Sequence, residues 1–175
     1  MSDDDYSVGY GRPPKHSQMA MTLLESFSRI PGLYGTDIDD SILNQWVRDV
    51  QTAAKEQDRL EIAEQYIGKL LTHAPTDPVD SVWPHRAVRN GLELWQSEQI
   101  EKGVHIGQMN ARGVTTRDPF EGGKQERLLA QQLREDAAKL DSWPRTRGVL
   151  IALAESWEHW AQREDTEAEQ LRLRE

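Results

Sequence analysis

From Met19 onward, apolar residues recur three and four positions apart instead of two, which is the period of amphipathic helices. A short first helix is expected over about residues 17–29, ending at the Pro31, Gly32 breaker. Residues 37–40 offer three aspartates as caps and first-turn charge for a second helix, with Ile42, Leu43, Trp46, Val47, Val50, Ala53 and Ala54 on its inner side. Asp58 followed by Glu61 predicts a capping box for a third helix. Its stripe of Leu60, Ile62, Ala63, Tyr66, Ile67, Leu70 and Leu71 is wide enough to sit at the centre of a core.

Residues 73–82, with Pro75, Pro78 and two aspartates, interrupt the pattern and form the best linker or long loop. Trp83 and Pro84 predict the start of a fourth helix carrying Val88, Leu92 and Trp95, since proline is favoured in a first turn. Ser97 can cap a fifth segment holding Ile100, Val104, Ile106 and Met109, as a new helix or a kinked continuation. Gly103 and Gly107 lie four apart on it, which lets another backbone come close. The period is lost near residues 110–124 and resumes with Leu128, Leu129, Leu133, Ala137 and Leu140. A second Trp-Pro pair, Trp143 and Pro144, opens a last helix with Val149, Leu150, Leu153, Ala154, Trp157 and Ala161 inward and a charged run toward the end. The segments around the two pairs echo one another at a period near 60, as a helical-hairpin repeat would, although helix starts favour Asp, Ser and Pro in any case.

These elements predict an all-α chain: a helical bundle or short stack of helical hairpins, about six to seven helices, behind a flexible leader at residues 1–18. Residues 19–175 are expected to form a single domain, with sub-bundles 19–72 and 83–175 joined by the loop 73–82.

Charge and composition narrow the functional classes. The chain has 175 residues, 30 acids against 21 bases and a net charge of -9, a balance that disfavours nucleic acid as a partner. The acidity is uneven: residues 19–82 carry -6 and residues 83–120 carry +1. With no cysteine there are no disulfides, thiolate metal sites or thiol nucleophiles, in keeping with a cytoplasmic protein. No apolar run approaches the roughly 20 residues of a membrane helix, so no membrane is expected.

Candidate chemistry is thin. Glu101 with His105, and Glu155 with His159, lie four apart, but the Glu-x-x-His set of a carboxylate di-iron bundle is missing and no metal or cofactor is expected. Glu-x-x-Glu pairs at Glu61 and Glu64, Glu98 and Glu101, Glu155 and Glu158, and Glu164 and Glu167 resemble Mg²⁺ sites of all-α nucleotide pyrophosphohydrolases, which also use a Glu-x-x-Asp that this chain lacks. Glu61 and Glu64 are expected to face solvent. No nucleophile elbow or ordered Ser, His and Asp set is visible, so no catalytic residue is assigned.

The break in periodicity carries the candidate binding residues. Gly122, Gly123 and Lys124 stand at a helix start whose amides can cradle an anion, with Arg112, Arg117 and Arg127 near in sequence. The competing reading gives those arginines to acidic neighbours within the chain. Six tryptophans are many for this length, and Trp160, at the edge of its stripe, is either core edge or an anchor for a partner.

The string GYGRPPKH at residues 9–16 resembles the start of an uncharacterised bacterial family whose members open with a GYGKPPKH-like string. Residues 83–170, with GVHIGQMNARGVTTR, EGGKQER and WPR, look similar to terminal segments of large uncharacterised bacterial proteins. Neither resemblance implies an activity, although the second implies a module used both free and fused. The expected function is therefore a non-enzymatic protein that acts by protein–protein binding or self-association, with an Mg²⁺-dependent nucleotide-processing enzyme as the alternative.

Overall fold

The computed structural model describes residues 29–111 and 121–173. The leader and residues 17–28 of the expected first helix lie outside them. A two-residue antiparallel hairpin comes first, β1 (Leu33–Tyr34) on β2 (Asp37–Ile38), with Leu33 opposite Ile38. Among the described residues six helices follow: α1 (Asp40–Glu56), α2 (Leu60–Leu71), α3 (Arg86–Trp95), α4 (Glu98–Ala111), α5 (Lys124–Ala137) and α6 (Pro144–Arg172). The chain is an all-α bundle with this small hairpin at its start.

The helix ends show where local signals held and where tertiary demands replaced them. Of the three aspartates expected at the start of α1, only Asp39 caps it, accepting from the amides of Ser41 at 2.8 Å and Ile42 at 3.0 Å. Asp37 belongs to β2. The expected Asp58 capping box does not form, because the chain must reverse within Gln57, Asp58 and Arg59. Asp58 takes a left-handed φ of 53°, Arg59 donates back to Ala54 O at 2.9 Å, and α2 starts without a side-chain cap. Pro84 does not open α3 either: it follows a cis bond from Trp83, and His85 precedes the helix. Pro144, by contrast, is the first residue of α6, so the two Trp-Pro starts differ in backbone. Ser97 does cap α4, its hydroxyl accepting from Ile100 N at 3.2 Å, and a left-handed Gln96 separates α4 from α3.

Two helix pairs dominate the packing, α2 with α4 and α5 with α6. The α2–α4 crossing rests on backbone contact. A Cβ on Gly103 would lie 2.2 Å from Gln65 O, and one on Gly68 would lie 2.0 Å from Ile100 O. Gly107 likewise sits against Thr72, as the spacing of the two glycines on α4 predicted. Leu43, Val47, Ile67, Leu71, Val88, Leu92, Ile100, Val104, Leu150 and Leu153 make one buried cluster that draws on both expected sub-bundles. Four of the larger stripe residues are exposed instead: Ile42 by 40%, Ile62 by 51%, Leu128 by 60% and Leu129 by 39%.

The loop at residues 73–82 is a folded clamp. Asp77, wholly buried, accepts from the amides of Val79 and Arg86 and takes two bonds from the Arg86 guanidinium at 2.8 and 3.0 Å. Asp80 takes two bonds from Arg89 at 2.6 and 2.9 Å, and Arg89, also wholly buried, donates to Pro84 O at 2.6 Å and to Val82 O. His85 Nδ1 accepts from Ala87 N, so its Nε2 donates to Asp37 Oδ1 at 3.1 Å and pins the hairpin to α3. At the far side, Glu93 accepts from the amides of Arg145 and Thr146, at 2.9 and 3.0 Å, and caps α6 from another helix.

This clamp makes stability sensitive to acid. The Arg86 guanidinium holds the Asp77 carboxyl well below its usual range, against the upward push of burial. A depressed carboxyl contributes stability that is complete above its unfolded value, near pH 4, and is lost as pH falls through its folded value. The urea midpoint is therefore expected to hold above about pH 5 as far as this group is concerned, and to fall increasingly below about pH 4. In Asp77→Asn the acid-side fall should be shallower on a lower plateau; an unchanged slope would show that Asp77 does not contribute it.

Candidate functional site: the Gly122 turn and the α4–α6 cleft

The expected anion cradle is already filled by the chain itself. Gly122 has a φ of +65°, and a Cβ on Gly123 would meet Ala161 O at 2.2 Å, so both positions need glycine to bring α5 onto α6. The Gly123 amide donates to Asp165 Oδ1 at 2.9 Å. Arg127 clasps the same carboxylate through both of its terminal nitrogens and lies 3.7 Å from Glu158, which also meets Arg134 at 3.4 Å. The Arg127 guanidinium, with help from the Gly123 amide, holds the Asp165 carboxyl below its usual range. Arg127 is thus spent on internal pairing, as the competing reading had it. Lys124 is exposed at the first position of α5. Arg112 and Arg117 lie outside the described residues.

Trp160 stands one position before the Ala161 that packs on Gly123. Its ring stacks on the buried Trp157 with centroids 5.6 Å apart and 22° between planes, and its indole N–H donates to Glu164 at 2.9 Å. It remains 39% exposed. One face and the N–H edge are therefore held, and the rest of the ring is part of the wall of an open cleft between α4 and α6. The cleft has a volume of about 540 Å³, within the range of ligand-sized sites. Met109 and Ala152 give it apolar surface, while His105, Glu155, Ser156, His159 and Arg163 supply polar groups. Helical spacing on α6 explains this convergence: residues 152, 155, 156, 159, 160 and 163 fall on one side.

Ser156 and His105 are 3.1 Å apart at the base of the cleft, a distance that invites comparison with a nucleophile and its base. The hydrogen bonds run the wrong way for that. The Ser156 hydroxyl donates to Ala152 O at 3.0 Å, so His105 Nε2 donates to Ser156 Oγ and takes no proton from it. Desolvation lowers the His105 pKa, favouring the neutral ring that such a bond uses. Ser156 also lies in the interior of α6, where amides are bound to the preceding turn and offer no oxyanion donors.

No family model, curated protein or solved structure matches the chain.

The geometry also separates the carboxylate pairs. Glu64 does not face solvent as expected: it is buried, and it accepts from Gln51 at 2.7 Å and from Ser97 at 2.8 Å, while Glu61 is exposed. Glu101 accepts from Arg145 at 2.6 Å, while His105 pairs with Ser156. Among the described residues no three His, Asp or Glu side chains are grouped so as to hold a metal ion. None of the described helices is long and apolar enough to cross a membrane. Sequence reasoning passed over Asp77, Asp80, Arg89 and Glu93, whose only local signal was the clustering of Asp and Pro before a helix start.

Proposed function

We propose that this chain is a non-enzymatic, intracellular protein-binding module, an adaptor or accessory subunit, which docks its partner on the α6 face that carries Trp160. The observation that supports this reading is the fixed, half-uncovered indole. Stacking on Trp157 and the bond to Glu164 set its orientation before binding, so a partner covers it at little cost in side-chain entropy. Aromatic anchors of this kind, seated in a cleft with a polar rim, concentrate the energy of protein interfaces. Lys124, exposed at the start of α5 next to the Gly123–Ala161 contact, adds a cation to the neighbouring surface.

The reading is tested by isolating the tagged protein with its bound partners from cells that produce it, in parallel with Trp160→Ala and Lys124→Glu. Trp160→Ala is expected to lose the partner by tenfold or more, and Lys124→Glu to weaken it less, while circular dichroism of both stays unchanged. Equal recovery of every partner by the wild type and Trp160→Ala would falsify the assignment of this face.

The alternative, nucleotide processing with Mg²⁺ on Glu-x-x-Glu pairs, draws no comparable support, since Glu64 and Glu101 are each engaged by neighbours within the fold. The resemblance of residues 83–170 to segments of larger proteins fits a module that is also used within assemblies.

A further inference from the structure

We infer that the occupant of the α6 face is a second copy of this chain, packed antiparallel about a two-fold axis that passes beside His159. The inference rests on the binding reading above and names the partner. Its basis is the order of charges along the exposed side of α6. Glu155, His159 and Arg163 are all exposed, and among the described residues none of their side chains makes a hydrogen bond or ion pair, unlike those of Arg127, Arg134 and Arg145 on the same hairpin. Glu155 lies four residues before His159 and Arg163 lies four after it. At 1.5 Å per residue the two charges stand about 12 Å apart on one face, equidistant from the histidine.

A stripe with an acid at one end, a base at the other and a midpoint between them is complementary to its own antiparallel copy. Rotation about the midpoint sets Glu155 of each copy against Arg163 of the other, which is the self-matching pattern of an isologous interface. The same rotation brings both Trp160 rings close to the axis, where each is covered by the opposite helix. Any foreign helix would need this charge order by coincidence, whereas a second copy supplies it by symmetry. The net charge of -9 on each chain opposes association, but charges far from the contact are screened beyond about 8 Å at physiological salt.

The test is sedimentation velocity of the full chain at about 100 μM and 0.15 M salt, a regime set by screening. The wild type is expected to sediment as a two-chain species. Glu155→Arg and Arg163→Glu, each of which sets like charges together twice per dimer, should raise the dissociation constant at least tenfold. The double variant, with both charges exchanged, should restore the dimer. Because the chain has no cysteine, His159→Cys adds a single thiol next to the axis. Mild oxidation should link that variant into covalent dimers, and Glu135→Cys on α5 should stay largely unlinked. A monomeric wild type overturns the second-copy assignment but leaves the binding reading to its own Trp160 test. A dimer unaffected by either single reversal places self-association elsewhere and also overturns it.

Discussion

Arg89→Met is expected to lower the free energy of unfolding by about 3–5 kcal/mol, the cost of removing one partner from a buried ion pair. Arg89 is wholly buried and gathers Asp80 together with the carbonyl oxygens of Val82 and Pro84. Its guanidinium also lies 5.2 Å from the ring centre of Trp143, just before α6. Methionine fills a similar volume but has no donors, so Pro84 O loses its partner, while Val82 O keeps only the Asp77 amide and the Asp80 carboxylate only the Val82 amide. Urea unfolding followed by circular dichroism measures the loss. Asp80→Asn should cost less, because Asp80 is partly open to solvent. Adding Asp80→Asn to Arg89→Met should cost little more than Arg89→Met alone, since the two groups share one interaction. Full additivity would mean that the ion pair is not what holds the loop.

Gly68→Ala is expected to destabilise the fold by about 3 kcal/mol, the upper end of ordinary overpacking. The added Cβ would lie 2.0 Å from Ile100 O and 2.7 Å from Gly103 Cα, so both neighbours are backbone and cannot rotate away. Relief requires α2 and α4 to separate along their whole contact. That movement also strains the Gln65–Gln99 hydrogen bond, which is 2.7 Å long across the same interface. Gly103→Ala meets Gln65 O at 2.2 Å and should cost a similar amount. Gly148→Ala is the control: nothing lies within 4 Å of its Cβ, and alanine there should raise stability by up to about 1 kcal/mol through helix propensity. Thermal unfolding of the three variants gives the comparison, and equal midpoints for Gly68→Ala and Gly148→Ala would contradict the close approach of α2 and α4.

Much of the fold was legible because its signals are local. The stripe of Val149, Leu150, Leu153, Ala154, Trp157 and Ala161 is buried as its spacing required, and Gly103 and Gly107 do admit a neighbouring backbone. Ser97 and Pro144 act at the helix starts where they were expected. The errors fall where one residue had two roles available. Asp58 suits both a cap and a left-handed turn, and the three-residue reversal between α1 and α2 selected the turn. Glu64 is three residues from the exposed Glu61, and only the arrival of Gln51 and Ser97 around it makes its burial favourable. In the candidate site, the partner of the Gly123 amide is Asp165, 42 residues away, and nothing near either residue announces the other.

The order of residues along the chain was enough for the six described helices, most of their inner faces and the glycines at which two of them touch. Those properties follow from periodicity and backbone sterics within a few residues, and they need no knowledge of neighbours. Only the tertiary structure decided which charges are spent inside the fold. Arg89, Asp77, Arg127 and Asp165 are held by internal partners, whereas Glu155 and Arg163 remain open on α6. The reason is that the desolvation of a buried charge must be offset by close pairing, and the groups that pair with it come from distant parts of the chain that helical periodicity does not name.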